Sequence, residues 1–180
     1  FSEDGREYIV SPRADRPTPA PWINVVTNAK FGFQCSAEGG GYTWYGNSRD
    51  HQLTPWNNDP VSDPQGEAIY VRDEETGALF CPTLKPLDQR DGTHLARHGF
   101  GYSAFERATG ELRLELVQTV PLNASHKLMR LRLTNLTRQS RRLSVTYYAE
   151  PVLGPNRPAS ARNLVTSLDE TTGAMLVRNP

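Results

Sequence analysis

Lys127 to Asn135, KLMRLRLTN, alternates strictly, with Met129, Leu131 and Leu133 on one side of an extended chain and Arg130, Arg132 and Thr134 on the other. A period of two marks a strand with one buried face; a helix would repeat its apolar positions every 3.6 residues. The same alternation returns with Leu112, Leu114 and Leu116 in LRLELVQTV, and with Leu143, Val145 and Tyr147 in RRLSVTYYAE. The short polar run LTRQS between KLMRLRLTN and RRLSVTYYAE predicts a hairpin joining them. Three more stretches, Glu74-Glu75-Thr76-Gly77, Arg107-Ala108-Thr109-Gly110 and Glu170-Thr171-Thr172-Gly173, lie between strand-like runs and end on glycine. They predict hairpin loops closed by a glycine at positive φ and, through them, an antiparallel meander.

No stretch carries a sustained helical stripe, and 14 prolines in 180 residues leave room only for short helices. The expected fold class is all-β: a single domain over residues 1–180, built as a large antiparallel two-sheet sandwich of about ten or more strands. A chain of this length can hold a core without disulfide staples. Two polar connections, Gly46 to Glu67 and Lys85 to Arg97, exceed the roughly 12–15 residues beyond which loops are usually functional or disordered.

Charge narrows the function classes. Twenty basic residues balance twenty acidic ones without long like-charge blocks, which leaves nothing to attract a phosphate backbone and excludes nucleic acid as a partner. Cys35 and Cys81 stand apart from any CxxC pair or metal-spaced histidine, so no zinc or redox motif is read. One disulfide between them stays open, while free thiols in a reducing compartment fit better. No apolar run approaches the roughly 18–20 residues of a spanning helix, so no direct membrane contact is expected. The charged opening FSEDGREY is no secretory signal, and without an initiator Met the chain is expected to be excised from a longer multidomain enzyme.

Histidine offers little chemistry. His94 and His98 would share one helix face, but Gly92, Gly99 and Gly101 flank them and YSAFE follows as a strand. In extended chain they stand roughly 13 Å apart, too far to share an ion. They are read as loop or surface histidines, His51 and His126 are equally isolated, and no metal ligand is assigned. There is no GxSxG elbow, and Gly39-Gly40-Gly41 leads into strand-like YTWY, so it is a tight turn rather than a phosphate cradle.

Gly41 to Asp63, GYTWYGNSRDHQLTPWNNDPVSD, places Trp44 and Trp56 among amide and charged groups that are expensive to bury without partners. GYTWY alternates as a strand, which sends Tyr42 and Trp44 into the core. Arg49, Asp50, Trp56, Asn57, Asn58 and Asp59, inside the long connection, form the candidate site. Aromatic faces beside Asn, Asp and Arg suit a pyranose, which pairs an apolar face with a rim of hydroxyls. The competing role for Asn57, Asn58 and Asp59 is turn capping around Pro55 and Pro60.

NSRDHQLTPWNNDPVSDPQGEAIYVRDEETG, followed by HGFGYSAFE, LRLTN and LSVTYYAE, resembles the amino-terminal sandwich of the cellobiose-phosphorylase-like enzymes, glycoside hydrolase family 94, formerly glycosyltransferase family 36. Within it, the likeness is greatest to the phosphorylase-like region of cyclic β-1,2-glucan synthases, and it runs from FSEDGREY to about Arg178. It implies a galactose-mutarotase-like supersandwich joined to a catalytic (α/α)6 barrel, where a carboxylic acid protonates the glycosidic oxygen while phosphate attacks the anomeric carbon with inversion. That barrel lies outside these residues, so the resemblance implies no catalytic residue and no cofactor in this chain. The partners it implies are the helical barrel of the same polypeptide, a β-glucan oligosaccharide and a second subunit of a homodimer. The location it implies is cytoplasmic, as the cytoplasmic part of a bacterial inner-membrane protein. Phe80-Cys81-Pro82-Thr83 stands where the family commonly has Trp-Ser-Pro-Thr, and Glu150-Pro151 where Glu-Trp is common.

The expected function is therefore that of a non-catalytic accessory domain in a β-glucan-processing phosphorylase or glycosyltransferase-like enzyme. Two alternatives stand beside it. One is a freestanding carbohydrate-binding module using the same aromatics; the other is an aldose mutarotase with His94 or His98 and a nearby Glu as acid and base.

Overall fold

The computed structural model describes residues 1–16, 18–57, 59 and 64–180. Among them the alternating runs become strands: β1 (Glu7–Val10), β2 (Ile23–Thr27), β3 (Phe31–Ser36), β4 (Gly41–Tyr45), β5 (Glu67–Asp73), β6 (Leu79–Phe80) and β7 (Thr93–Gly99). There follow β8 (Tyr102–Ala108), β9 (Leu112–Thr119), β10 (Leu128–Asn135), β11 (Leu143–Ala149), the one-turn helix α1 (Arg157–Ser160), β12 (Val165–Leu168) and β13 (Met175–Arg178).

A five-stranded antiparallel sheet runs in the order β1-β7-β8-β9-β10. Its register aligns Val10, Ala96, Phe105, Leu116 and Leu131 as one row across all five strands. That row packs against Val26, Phe31 and Phe33 of the sheet β2-β3-β4 and against Ile69 of the sheet β11-β5-β6, which together make the main core. A smaller core sets Val71, Phe80 and Leu143 against Leu112, Leu114 and Leu133. Each such side chain, fully buried, contributes roughly 1.5–3 kcal/mol. The sandwich thus has one continuous layer and one split layer, the split being crossed by a parallel bridge between Gly41 and Gln65. The β12–β13 hairpin pairs only with itself among the described residues.

Two expectations about connection change. KLMRLRLTN and RRLSVTYYAE are not a hairpin: β10 pairs with β9 and β11 with β5, so LTRQS carries the chain from one layer to the other. Period two fixes which face of a strand is buried but says nothing about its neighbour. At the edge of its sheet, β11 also leaves Val145 and Tyr147 about half exposed, although their alternation predicts burial. The three glycine-ended stretches are hairpin loops, but they join β5 to β6, β8 to β9 and β12 to β13 in three different sheets. The meander is formed instead by β7 to β10.

Trp44 takes its expected core place at 9% exposure. Its register partner is Gly32, where an added Cβ would come within 2.5 Å of the indole, so the glycine makes room for the ring.

Candidate functional site

The described part of the long connection after β4 is pinned at several points. Asn47 Oδ1 accepts from the Arg49 and Asp50 amides, closing a tight turn at its tip. Beyond the tip, Gln52 bridges to Trp44 on one side and to Gly154 on the other, and the Leu53 amide donates to the Thr43 carbonyl at 2.8 Å. The loop therefore runs as a strip between β4 and the 152–154 segment.

This strip divides the sequence-predicted site. Arg49 projects with 93% of its side chain in solvent, beside Asp50 at 3.8 Å, a surface pair worth little by itself. Trp56 is half-buried and stacks on Tyr42, ring centroids 5.5 Å apart, while Tyr42 in turn lies 5.1 Å from Trp44. The Tyr42 hydroxyl donates to the Ser48 carbonyl, so this buried tyrosine ties the tip to the tryptophan. Asn57 is exposed, Asp59 is half-buried, and Asn58 lies outside the described residues.

Behind the strip is a cluster that the sequence pattern does not single out. Glu67 Oε1 accepts from Thr43 Oγ1 at 2.5 Å and from Thr54 Oγ1 at 2.6 Å; Oε2 accepts from Lys127 Nζ at 2.6 Å. The ammonium also sits 4.5 Å from the centre of the Phe33 ring. Burial alone would push the Glu67 carboxyl up, but Lys127 and the three hydrogen bonds outweigh it and hold the group below its usual range. The Tyr147 phenol is raised, by burial first and by the Glu67 charge second. With both oxygens committed, this carboxylate fastens β4, β5, the loop and the opposite layer at the split. The signal for it in the sequence is slight: Glu67 and Lys127, of opposite charge, each open or directly precede an apolar strand.

The histidines correct the sequence reading. His94, Ala96 and His98 fall on one face of β7 and are buried, so these are core rather than loop or surface residues, and the second polar connection ends at Gly92. His94 lies in register with Arg107, which is itself 0% exposed, paired with Asp91 at 2.9 Å and hydrogen-bonded to Gln89. The His94 ring nitrogens make no hydrogen bond of ordinary geometry among the described residues, and burial first, then Arg107, depress its pKa. His98 bonds through Nδ1 to Ser103 Oγ at 3.1 Å. Among the described residues, neither ring is hydrogen-bonded to a carboxylate. Cys35 and Cys81 are buried and are not joined in a disulfide.

A family profile described as the glycosyl hydrolase 94 supersandwich domain matches residues 6–180. The chain belongs to this family. It is 44% identical over its full length to the cyclic beta-(1,2)-glucan synthase NdvB of Rhizobium meliloti (strain 1021), of which it spans 6%. It is 30% identical over 152 residues to an N,N'-diacetylchitobiose phosphorylase of Vibrio furnissii and 26% identical to a solabiose phosphorylase of Paenibacillus borealis, spanning 19% of each. The supersandwich is thus a small part of these relatives.

Cys81 lies in the interior with Sγ 3.2 Å from Thr83 Oγ1 and 3.4 Å from the Lys85 carbonyl, and burial raises its thiol pKa. A small, weakly polar group fills the position without needing solvent. Glu150 is held by Arg157 of α1, and the half-buried Pro151 follows it.

Proposed function

We propose that this domain is the non-catalytic β-sandwich of a β-glucan-processing, phosphorylase-like or glycosyltransferase-like polypeptide. In this reading its 49–59 strip faces the catalytic barrel, the glycan or a second subunit of a homodimer. The observation that carries the proposal is coverage: 83–100% of the chain matches, yet it spans only 6–19% of relatives named as a cyclic beta-(1,2)-glucan synthase and as phosphorylases. The state of Glu67 supports it, because a buried carboxylate held in its charged form by Lys127, Thr43 and Thr54 fastens the fold rather than standing poised to exchange a proton. The strip supports it too, since a tip that keeps Arg49 in solvent on an anchored base is built to meet something.

The test is made in the complete polypeptide. Arg49→Ala and Trp56→Ala should each lower glycan turnover about tenfold, or weaken subunit assembly by a like factor, a change of ~1.4 kcal/mol. Normal kinetics together with normal assembly in both variants would remove any role for the strip.

A further inference from the structure

Among the described residues the sandwich is open along one flank. β10 and β11 are end strands of their sheets, and Leu131 and Leu133 of the one and Leu143 of the other pack into the same small core, so the two edges lie on the same side of the molecule. Neither edge closes the core there. Met129, Leu131 and Leu133 point inward from β10 yet are only half-buried, and on the inward face of β11 Val145 and Tyr147 are 52% and 49% exposed. Tyr148, on the opposite face, is 44% exposed. β11 carries no proline and no charge between Leu143 and Ala149, and it pairs with β5 in unbroken register. It therefore has none of the usual devices by which an edge strand repels a neighbour.

The β11 backbone specifies the shape of what can meet it. The Glu74 amide donates to the Arg142 carbonyl at one end of the strand and the Glu150 amide donates to the Gly66 carbonyl at the other, both at 2.9 Å. In an antiparallel ladder alternate residues turn both backbone groups to the same neighbour, so Ser144, Thr146 and Tyr148 face β5 together with Arg142 and Glu150. The N–H and C=O groups of Leu143, Val145, Tyr147 and Ala149 point the other way, where β11 has no neighbour among the described residues. A straight row of donors and acceptors that repeats at every second residue fits an extended peptide, because a helix keeps its own backbone groups paired inside itself.

A second copy of the chain is the weaker source of that peptide. Paired about a two-fold axis at Thr146, it would set Arg142 against Glu150 of the other copy, a carboxylate that Arg157 already holds, so the contact gains little. A strand of the same polypeptide is tethered, and a tether supplies it at an effective concentration in roughly the millimolar range that a separate subunit lacks. The relatives have chain to spare, since this domain covers only 6–19% of them.

We propose that the β11 edge receives a further strand of the parent polypeptide, from outside these 180 residues, which hydrogen-bonds to Leu143, Val145, Tyr147 and Ala149 and sets apolar side chains beside Val145 and Tyr147. The inference rests on the reading of this domain as part of a longer enzyme, and the contact is separate from the 49–59 strip.

Amide hydrogen exchange of the complete polypeptide, resolved to single residues over 142–150, reads this edge directly, with oligomeric mass and glycan turnover measured alongside. An added strand should protect Val145, Tyr147 and Ala149 to within about tenfold of Thr146 and Tyr148. Exchange near the open-chain rate at those three, with Thr146 and Tyr148 still protected, would overturn the proposal and leave the accessory-domain reading standing. Val145→Pro removes an outward N–H and spares the bonds to β5, so it should speed exchange at Tyr147 at least about tenfold at unchanged mass, whereas Val145→Ala, which keeps the N–H, should not. Exchange at Tyr147 equal to wild type in both variants would also overturn it. Protection that disappears on dilution, together with half the mass, would overturn it in favour of a second copy. Protected amides in a polypeptide that turns over no β-glycan would support the strand and defeat the enzyme reading alone.

Discussion

Glu67 and Lys127 show what a single residue can hold together. Their side chains are only 9% and 10% exposed, and the carboxylate collects a charge and two hydroxyls from three separate segments. Removing one member of a buried pair strands the other without compensation, which typically costs about 3–5 kcal/mol, whereas replacing both can be nearly neutral. Lys127→Met should therefore lower the stability of the folded chain by about 3–5 kcal/mol in urea unfolding, and Glu67→Gln with Lys127→Met should recover most of it. Equal losses for the single and double variants would show that the charge pair is not what matters. At this scale the sequence is legible where chemistry is local. Trp44 is readable as core because its own strand alternates, and Tyr42 likewise. Glu67 is not, since its partners are 24, 13 and 60 residues away in the chain. The candidate site fares unevenly for the same reason: Arg49 and Asp50 can be placed at a polar tip, but the stacking of Trp56 on Tyr42 depends on how the strip folds back.

Among the elements, the hairpin loops show how a repeated sequence gives a repeated turn, and where the repeat stops. In Asp73-Glu74-Glu75-Thr76-Gly77 the aspartate Oδ1 accepts from the Glu75 and Thr76 amides, and the Gly77 amide donates to the Asp73 carbonyl. In Asp169-Glu170-Thr171-Thr172-Gly173 the aspartate Oδ1 accepts from the Thr171 amide and Oδ2 from the Thr172 hydroxyl, the Gly173 amide again donates to the Asp169 carbonyl, and both glycines have φ near +70°, at 74° and 71°. Arg107-Ala108-Thr109-Gly110 lacks the aspartate; there Thr109 Oγ1 accepts from the Glu111 and Leu112 amides, and Gly110 is not among the positive-φ glycines. A glycine at the end of each loop predicts positive φ in all three, but the leading side chain decides the turn. Gly173→Ala should thus cost about 1–2 kcal/mol, while Gly110→Ala, with open space around its Cβ, should be neutral or stabilising by up to about 1 kcal/mol. Chemical denaturation of the two variants checks the contrast; equal effects would refute the assignment. The strands themselves are plain from period two, but their pairings are not, and β7 escapes because histidines interrupt its buried face where a run of aliphatic residues would have announced it.

For the molecule as a whole, one continuous layer faces a split one, and the polar groups inside it bear protonation changes in one direction. His94 and His98 occupy the core face of β7 on either side of Ala96; burial lowers both pKa values below the ordinary 6.5, with the Arg107 charge adding to the effect at His94 and Asp91 opposing it. Between the folded value and 6.5 the unfolded chain binds more protons, so stability from these groups is complete above 6.5 and is lost as pH falls through the folded values. Glu67, held below its ordinary 4.5, obeys the same sign lower down: its contribution is complete above 4.5 and disappears as pH falls through its folded pKa. A tenfold difference in proton affinity between the two states corresponds to about 1.4 kcal/mol, so even modest depression at each group is measurable. The melting temperature, followed from pH 8 down to 3, should therefore be level with respect to these groups above 6.5 and then fall in two stages. His94→Gln with His98→Gln should flatten the upper stage and leave the lower, and Glu67→Gln should reduce the lower and leave the upper. A wild-type melting temperature that stays constant from pH 6.5 to 3 would overturn the depressed pKa values assigned to the two buried imidazoles and to the carboxylate beside Lys127.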